Sequence, residues 1–323
     1  MAASNFTQDD SPTFILTGIP GLEDAHIWIS IPFAAFYMTA LLANFTVLSI
    51  VAKEQSLHKP MYLLICMLAL SDIVTSTSFI PKALGIFWFN LKSITLAGCL
   101  TQVFFFLASA TVHSGVLMIM AIDRYVAICN PLRYTSILTN ARIAKLGLVC
   151  VVRAVLFILP EPVLLSRLPF CANRIMPHTY CDTMVVAKLS CGDITGSKMY
   201  GLALAFVVTG FDLTVIATSY MLIARAVLQI SSKKAHQKAL STCTAHILVI
   251  LMAYPPGLFY ILAHRFSEGI TPYVHIILAN LTYLMPPMLN PIVYGVKTKE
   301  LRDKVVAFIG RRCSTDVPDY KTT

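Results

Sequence analysis

Residues 118–131 read MIMAIDRYVAICNP, an apolar run that stops abruptly at the triplet Asp123-Arg124-Tyr125. Cys99 lies twenty-five residues before Arg124. At a rise of about 1.5 Å per residue that interval is roughly 38 Å of helix, somewhat more than the roughly 30 Å hydrocarbon core of a bilayer. One tilted helix can therefore hold a thiol at one membrane face and an arginine at the other. That layout suits a helix connecting events on two sides of a membrane, and the chain reads outward from it as an all-α bundle.

The composition agrees. With 57% hydrophobic and 13% charged residues and a mean hydropathy of +0.72, the chain departs from soluble domains, in which about a quarter of residues are charged. Apolar segments of spanning length fall near 27–52, 61–84, 97–122, 143–163, 198–228, 239–263 and 272–296, which makes seven. The fourth is the least regular, because Arg153 sits inside it. No lysine or arginine precedes Lys53, whereas Asp9, Asp10, Glu23 and Asp24 lie near the amino terminus. Basic residues gather at alternate ends of the spans: Lys53 and Lys59, Arg133 to Lys145, Arg225 to Lys238, and Lys297 to Arg312. The positive-inside rule makes these loops cytoplasmic and the amino terminus extracellular, in a multi-pass plasma-membrane protein. This asymmetry accounts for the net charge of +9 without a nucleic-acid partner.

Four segments follow from that topology: an extracellular 1–26, a bundle over 27–296, a juxtamembrane helix over 297–313 and a disordered tail over 314–323. Residues 1–26 lack the pattern of a cleavable signal. Asn5-Phe6-Thr7 is a glycosylation sequon on the outer side, whereas Asn44-Phe45-Thr46 falls inside the first span and is expected to stay unmodified. Between Lys297 and Arg312 charges alternate with Leu301, Val305, Val306, Phe308 and Ile309, a pattern for a helix lying on membrane lipid.

Polar residues inside the spans are the candidate working parts. Asp72 lies near the middle of span two, where a lone carboxylate costs several kcal/mol and takes a functional or paired role by default. Its expected neighbours by depth are Asn44, His113 and Asn290. Span three presents Leu107, Ala110, Thr111 and Ser114 on one face, suited to a cavity wall or to close helix packing. In span six Tyr254, Leu258, Ile261 and Arg265 share a face, with a cation above, aliphatic surface below and a phenol at the bottom. Arg265 reads equally as an interfacial arginine reaching for headgroups. The same span carries Pro255, Pro256 and Gly257, which invite a kink. Pro291 is expected to break span seven near Asn290, whose amide would take up a freed backbone group. On the outer side stand Cys99, Cys171, Cys181 and Cys191, four thiols with three possible pairings.

Seven spans, an outer cysteine on span three, Asp-Arg-Tyr at its base and Asn290-Pro291-Ile292-Val293-Tyr294 on span seven resemble rhodopsin-like G-protein-coupled receptors. Finer motifs narrow the resemblance to olfactory receptors: Pro60-Met61-Tyr62, MAIDRYVAICNP over 120–131, Ser219-Tyr220, Lys238 to Cys243 (KALSTC) and PMLNPIVY over 287–294. The segment Gly18 to Glu23 and the cysteine-rich loop of about 164–196 are similar to those of the class I, or fish-like, branch. The resemblance covers essentially the whole chain.

The resemblance implies pairings of Cys99 with Cys181 and Cys171 with Cys191. It implies that Asp123, Arg124 and Tyr125, with Tyr220, Asn290, Pro291 and Tyr294, form the switch that engages a heterotrimeric, stimulatory olfactory-type G protein and raises cyclic AMP. It implies a small-molecule odorant, for class I a hydrophilic one with carboxylic acids prominent. Arg265 then reads as the carboxylate anchor, with Leu107, Ala110, Thr111, Leu204, Ala205, Val208, Tyr254, Leu258 and Ile261 around an alkyl tail. The chain departs from the wider pattern at Tyr254, where many rhodopsin-like receptors carry tryptophan. It departs again at Asp212, which replaces a proline of span five, and at His113, where olfactory receptors frequently carry an acid. An imidazole beside Asp72 disfavours a bound sodium ion when protonated.

Other classes fit less well. A retinal protein needs a lysine within span seven, and 272–296 contains none. A transporter is expected to show repeats or paired intramembrane charges, whereas these charges read as few and scattered. No span offers the polar face of a channel. No nucleophile–base set, metal-ligand cluster or cofactor motif marks an enzyme. The nearest rival is a metabolite-sensing receptor for short acids acting outside olfaction.

Overall fold

The computed structural model describes residues 12–170, 174–229, 232–266 and 271–315, and leaves out the side chains of 235, 238, 261, 263–266, 272 and 309–315. Its helices are α1 (His26–Lys53), α2 (Pro60–Phe89), α3 (Leu96–Cys129), α4 (Tyr134–Ile137), α5 (Asn140–Ile158), α6 (Pro160–Ser166), α7 (Thr183–Lys188), α8 (Thr195–Leu228), α9 (Lys233–Phe266), α10 (Pro272–Lys297) and α11 (Lys299–Thr315). Seven helical segments among the described residues are long and apolar enough to cross a membrane, α5 and α6 together forming the fourth. The surface is inverted relative to a soluble protein. Trp28, Leu42, Leu148, Val207 and Leu251 are exposed, while Asp72, Asp123 and Asp212 are buried. Lipid tails cover such an apolar exterior, and polar groups pair inside.

Local chemistry sets most boundaries. Pro60 occupies the first turn of α2, where its missing N–H costs nothing. Asn90 ends that helix in the left-handed conformation (φ 56°) that asparagine tolerates. Thr95 caps α3 by accepting from the Gly98 amide at 3.2 Å. Pro160 separates α5 from α6.

The expected break at Pro291 does not occur: α10 runs unbroken through Pro286, Pro287 and Pro291. Proline at 291 has no N–H for the carbonyl four residues earlier, that of Pro287. Asn44 Nδ2, from α1, donates to that carbonyl at 2.8 Å. The amide that satisfies the freed group is therefore Asn44, not Asn290. Likewise α9 continues through Pro255 and Pro256 as one helix.

Two buried layers fill the bundle. One, at the Asp-Arg-Tyr end, joins Ile50, Leu64, Leu68, Val116, Ile119, Ile216, Val249 and Tyr294. The other, at the end carrying Cys99, joins Phe33, Phe79, Phe106, Tyr180, Tyr260 and Leu284. A small sheet closes the Cys99 end. In it β1 (Thr13–Leu16) lies between antiparallel β2 (Ser93–Thr95) and parallel β3 (Ile175–Met176), in register Thr13↔Thr95 and Ile15↔Ile175. Phe14 and Leu16 point from it into the buried layer. At the opposite end α11 packs Leu301 against the bundle, and Lys59 Nζ meets Glu300 Oε1 at 2.7 Å. The Lys59 ammonium holds the Glu300 carboxyl below its ordinary range.

Candidate functional site

A cavity of about 290 Å³ lies between α3, α8, α9 and α10 beneath the loop that carries Cys181. That is near the lower end of the roughly 300–1,000 Å³ of small-molecule pockets. Its wall includes Leu107, Ala110 and Thr111 of α3, Leu204, Ala205 and Val208 of α8, and Tyr254 and Leu258 of α9. These are eight of the ten positions that sequence reading gathered around a ligand. Ile261 and Arg265 lie on the same helix α9, and their side chains are outside the described residues.

Two polar assemblies bound this cavity. At its base His113 Nδ1 stands 3.0 Å from Asp72 Oδ1, and Asn290 Nδ2 donates to Asp72 Oδ2 at 2.9 Å. Asp72 thus meets two of its three expected neighbours. Asn44 bonds backbone carbonyls instead, those of Ala40 and Pro287.

The second assembly was not foreseen. Arg153 and Asp212, read from sequence as scattered charges, form a two-pronged ion pair between α5 and α8, with Nη1–Oδ1 at 2.6 Å and Nη2–Oδ2 at 2.8 Å. Ser114 Oγ donates to Asp212 Oδ2 at 2.6 Å, and Tyr254 Oη lies 2.8 Å from Ser114 Oγ. The carboxylate can only accept, so the hydroxyl chain runs from Tyr254 through Ser114 to Asp212. Gly115 makes room for it: a Cβ there would lie 2.8 Å from Cys150 Sγ and 2.9 Å from Arg153 Nη2. Opposite charges near the centres of two spans were the available signal, but spacing alone did not pair them.

The loop segment 178–182 roofs the cavity and is fastened to several elements. Gly18 N donates to the His178 carbonyl at 3.2 Å. Asn280 Nδ2 of α10 donates to Thr179 Oγ1 at 2.8 Å. Cys181 is disulfide-bonded to Cys99, and its amide donates to Gln102 Oε1 of α3 at 2.8 Å. Tyr260 Oη of α9 donates to Asp182 Oδ2 at 3.1 Å, while Asp182 Oδ1 caps α7 by accepting from Met184 N and Val185 N. Cys191 is also disulfide-bonded. Cys171 lies outside the described residues, as does Asn5.

At the far end Asp123 and Arg124 are both buried, with Arg124 Nη1 3.7 Å from Asp123 Oδ2. Tyr134 Oη of α4 donates to Asp123 Oδ1 at 2.7 Å. Burial, reinforced by that carboxylate, pushes the Tyr134 phenol above its ordinary range and keeps it a donor. Tyr220 Oη lies 2.9 Å from His246 Nδ1, and Tyr294 Oη points to Met120 Sδ at 3.6 Å. Tyr125 and Tyr220 both pack against the buried cluster of Ile223, Val227, Ala239 and Cys243. Pro291 sits within α10 one residue from Asn290. Arg124 is therefore held buried at this end of α3, beside an Asp123 that Tyr134 of α4 also engages.

The bundle can hold a small molecule beneath a pinned loop and keeps a buried arginine near the other membrane face. Comparison with known proteins agrees with that arrangement. The sequence profile of the olfactory receptor family matches residues 33–312. The chain is 51% identical to human olfactory receptor 52N4 over 99% of both chains. It is 48% identical to human olfactory receptor 52P1 over 95% of both. It is 47% identical to human olfactory receptor 52N1 over 95% of this chain and 97% of that one. The 52 group is a class I group, in line with the branch that the early segment and long loop resemble. With a family profile spanning most of its length and relatives near half identity from end to end, the chain belongs to the olfactory receptor family of seven-span, G-protein-coupled odorant receptors.

Proposed function

We propose that this receptor binds a carboxylic-acid odorant in the cavity between α3, α8, α9 and α10, and answers through a stimulatory G protein that raises cyclic AMP. The observation that carries the reading is the α9 face on which Tyr254 and Leu258 line the cavity. Arg265 follows Leu258 by seven residues, two turns of the same helix, roughly 10 Å toward the loop end. An arginine fork matches two carboxylate oxygens. The aliphatic wall of Leu107, Leu204, Ala205 and Val208 suits an alkyl chain.

The amino terminus is extracellular in this reading, so the cavity opens to the side from which odorants arrive. Ligand binding favours a state in which the inner half of α9 moves away from α3. That movement frees Arg124 from Asp123 and presents it to the G protein, with Tyr220 and Tyr294 turning inward. Asn5 carries the glycan.

The test is a cyclic AMP response in cells to straight-chain acids of increasing length, with alcohols of matched length as controls. Potency is expected to rise about fourfold per methylene, from roughly 0.8 kcal/mol each, until the cavity is full. Arg265→Ala is expected to lower acid potency at least tenfold at equal surface expression, in keeping with about 1.5–3 kcal/mol for a hydrogen bond to a charged group. Unchanged potency removes the anchor.

A further inference from the structure

One stretch of the lipid-facing surface leaves polar side chains uncovered. Elsewhere on that surface threonines satisfy themselves: Thr39, Thr214 and Thr218 each return the hydroxyl to the carbonyl four residues back, at 2.7–2.8 Å. Such a back-bond hides a hydroxyl from hydrocarbon. Thr77 of α2 and Thr101 of α3 are also exposed, yet neither makes it. Thr77 Oγ1 accepts from Tyr37 Oη at 3.2 Å. The Thr101 hydroxyl has no hydrogen-bond partner among the described residues.

Both threonines line a groove of about 480 Å³ between α2 and α3, near the end that carries Cys99. Ile73, Val74 and Phe105 line it too, the last two exposed on the outside of the bundle. Lys82 is the one charged residue among its described lining. Lys82 Nζ donates to the carbonyls of Leu91 and Ser93, each at 2.7 Å. An ammonium carries three N–H groups, so one is left over. No carboxylate pairs with Lys82 among the described residues.

Depth matches these groups to the parts of a lipid. The 30 residues of α2 make about 45 Å of helix, which equals a bilayer together with its headgroup regions. Lys82 stands seven residues before the Phe89 end of α2, roughly 10 Å along the helix. Thr101 stands five residues after Leu96 at the start of α3, roughly 8 Å along. Both sit near the edge of the hydrocarbon core, the level of a lipid's glycerol and phosphate. Ile73 lies nine residues deeper than Lys82, roughly 13 Å, at the level of the acyl chains.

Charge selects the occupant. A cation at the lipid boundary without a carboxylate attracts an anionic headgroup atom. A phosphodiester accepts from an ammonium and a hydroxyl at once through its two non-bridging oxygens. A sterol offers only a neutral hydroxyl, and a diacylglycerol lacks the phosphate. We propose that one phospholipid molecule docks in the groove between α2 and α3. Its phosphate accepts from Lys82 Nζ and Thr101 Oγ1, and an acyl chain lies along Ile73, Val74 and Phe105. This site is separate from the odorant cavity and does not depend on Arg265.

The experiment uses the full receptor purified in detergent, with retained lipid counted by native mass spectrometry and stability read from thermal melts. The probes are phosphatidylcholine, the diacylglycerol with the same chains, and cholesterol, against wild type, Lys82→Met, Thr101→Val and Thr101→Phe. Phosphatidylcholine is expected to stay bound to the wild type and raise its melting temperature, with the diacylglycerol about tenfold weaker. Lys82→Met is expected to bind phosphatidylcholine about tenfold more weakly. That variant also loses the bonds to Leu91 and Ser93, so a lower melting point of its own is expected. Thr101→Phe leaves Lys82 in place and fills the groove, and it is expected to lose the lipid at an unchanged lipid-free melting temperature. Thr101→Val is expected to weaken binding several-fold. Equal retention by wild type and Thr101→Phe overturns the proposal, since the lipid then sits elsewhere. Equal binding of the diacylglycerol, preference for cholesterol, or no phospholipid retained at all overturns it as well.

Discussion

Arg153 and Asp212 show how a residue's meaning depends on a partner far along the chain. In the sequence Arg153 weakens the fourth span and Asp212 replaces a familiar proline. In the bundle they satisfy each other, and Asp212 also accepts from Ser114. Removing one member leaves the other charge buried and uncompensated, a cost of about 3–5 kcal/mol. Arg153→Ala is therefore expected to lower the melting temperature and the surface level of the receptor sharply. Replacing both residues with apolar side chains of similar size is expected to restore much of the stability, since a buried ion pair gains little over good packing. Thermal melts of the detergent-solubilised single and double variants check this. Tyr254 loses the far end of its hydroxyl chain in the double variant, so stability and signalling are expected to separate there. Asp72 follows the same logic, and its mid-span position alone marked it as a residue needing partners. Which of three candidate neighbours it took depended on how α1 and α10 pack.

At the scale of elements, prolines are the informative residues. Pro291 in α10 reads locally as a break and Pro255 and Pro256 in α9 as an invitation to kink, yet both helices continue through them. A helix survives an internal proline when another group takes the carbonyl it releases. For Pro291 that group is Asn44 on α1, 243 residues away from the Pro287 carbonyl it meets. Asn44→Ala is expected to cost about 1–3 kcal/mol by leaving that carbonyl unpaired, with a matching loss of thermal stability. It is also expected to speed amide hydrogen exchange around residues 287–291, while α5, which Asn44 does not touch, stays protected. Leu at the same position is expected to behave like Ala, because the missing contribution is the amide hydrogen and not volume. The helix starts and stops were far more legible, since Pro60, Asn90, Thr95 and Pro160 act within a turn of their own position.

For the whole molecule, the roof over the cavity is the part that sequence reading left least defined. The Cys99–Cys181 bridge spans 82 residues and ties that roof to α3. Replacing both cysteines with serine is expected to cost about 2–5 kcal/mol and to disturb the cavity end selectively. Limited proteolysis is expected to cut first within the loop before Thr183, while the Asp-Arg-Tyr end keeps its protection. Seven spans, their approximate limits, the membrane-spanning interval between Cys99 and Arg124, and the apolar faces of α3 and α9 were all present in the linear pattern. Hydropathy and helical period are properties of neighbours in the chain, and a membrane enforces them directly by its thickness and its lack of water. Tertiary structure decided what chain spacing does not encode: that Arg153 meets Asp212 and that Asn44 rather than Asn290 repairs α10. It also decided that Tyr180 is carried under the loop, buried against Phe79 and Phe106 at the cavity wall. Those outcomes follow from which spans pack side by side and how each is rotated, and burial then makes every polar group brought inside find a partner or a ligand.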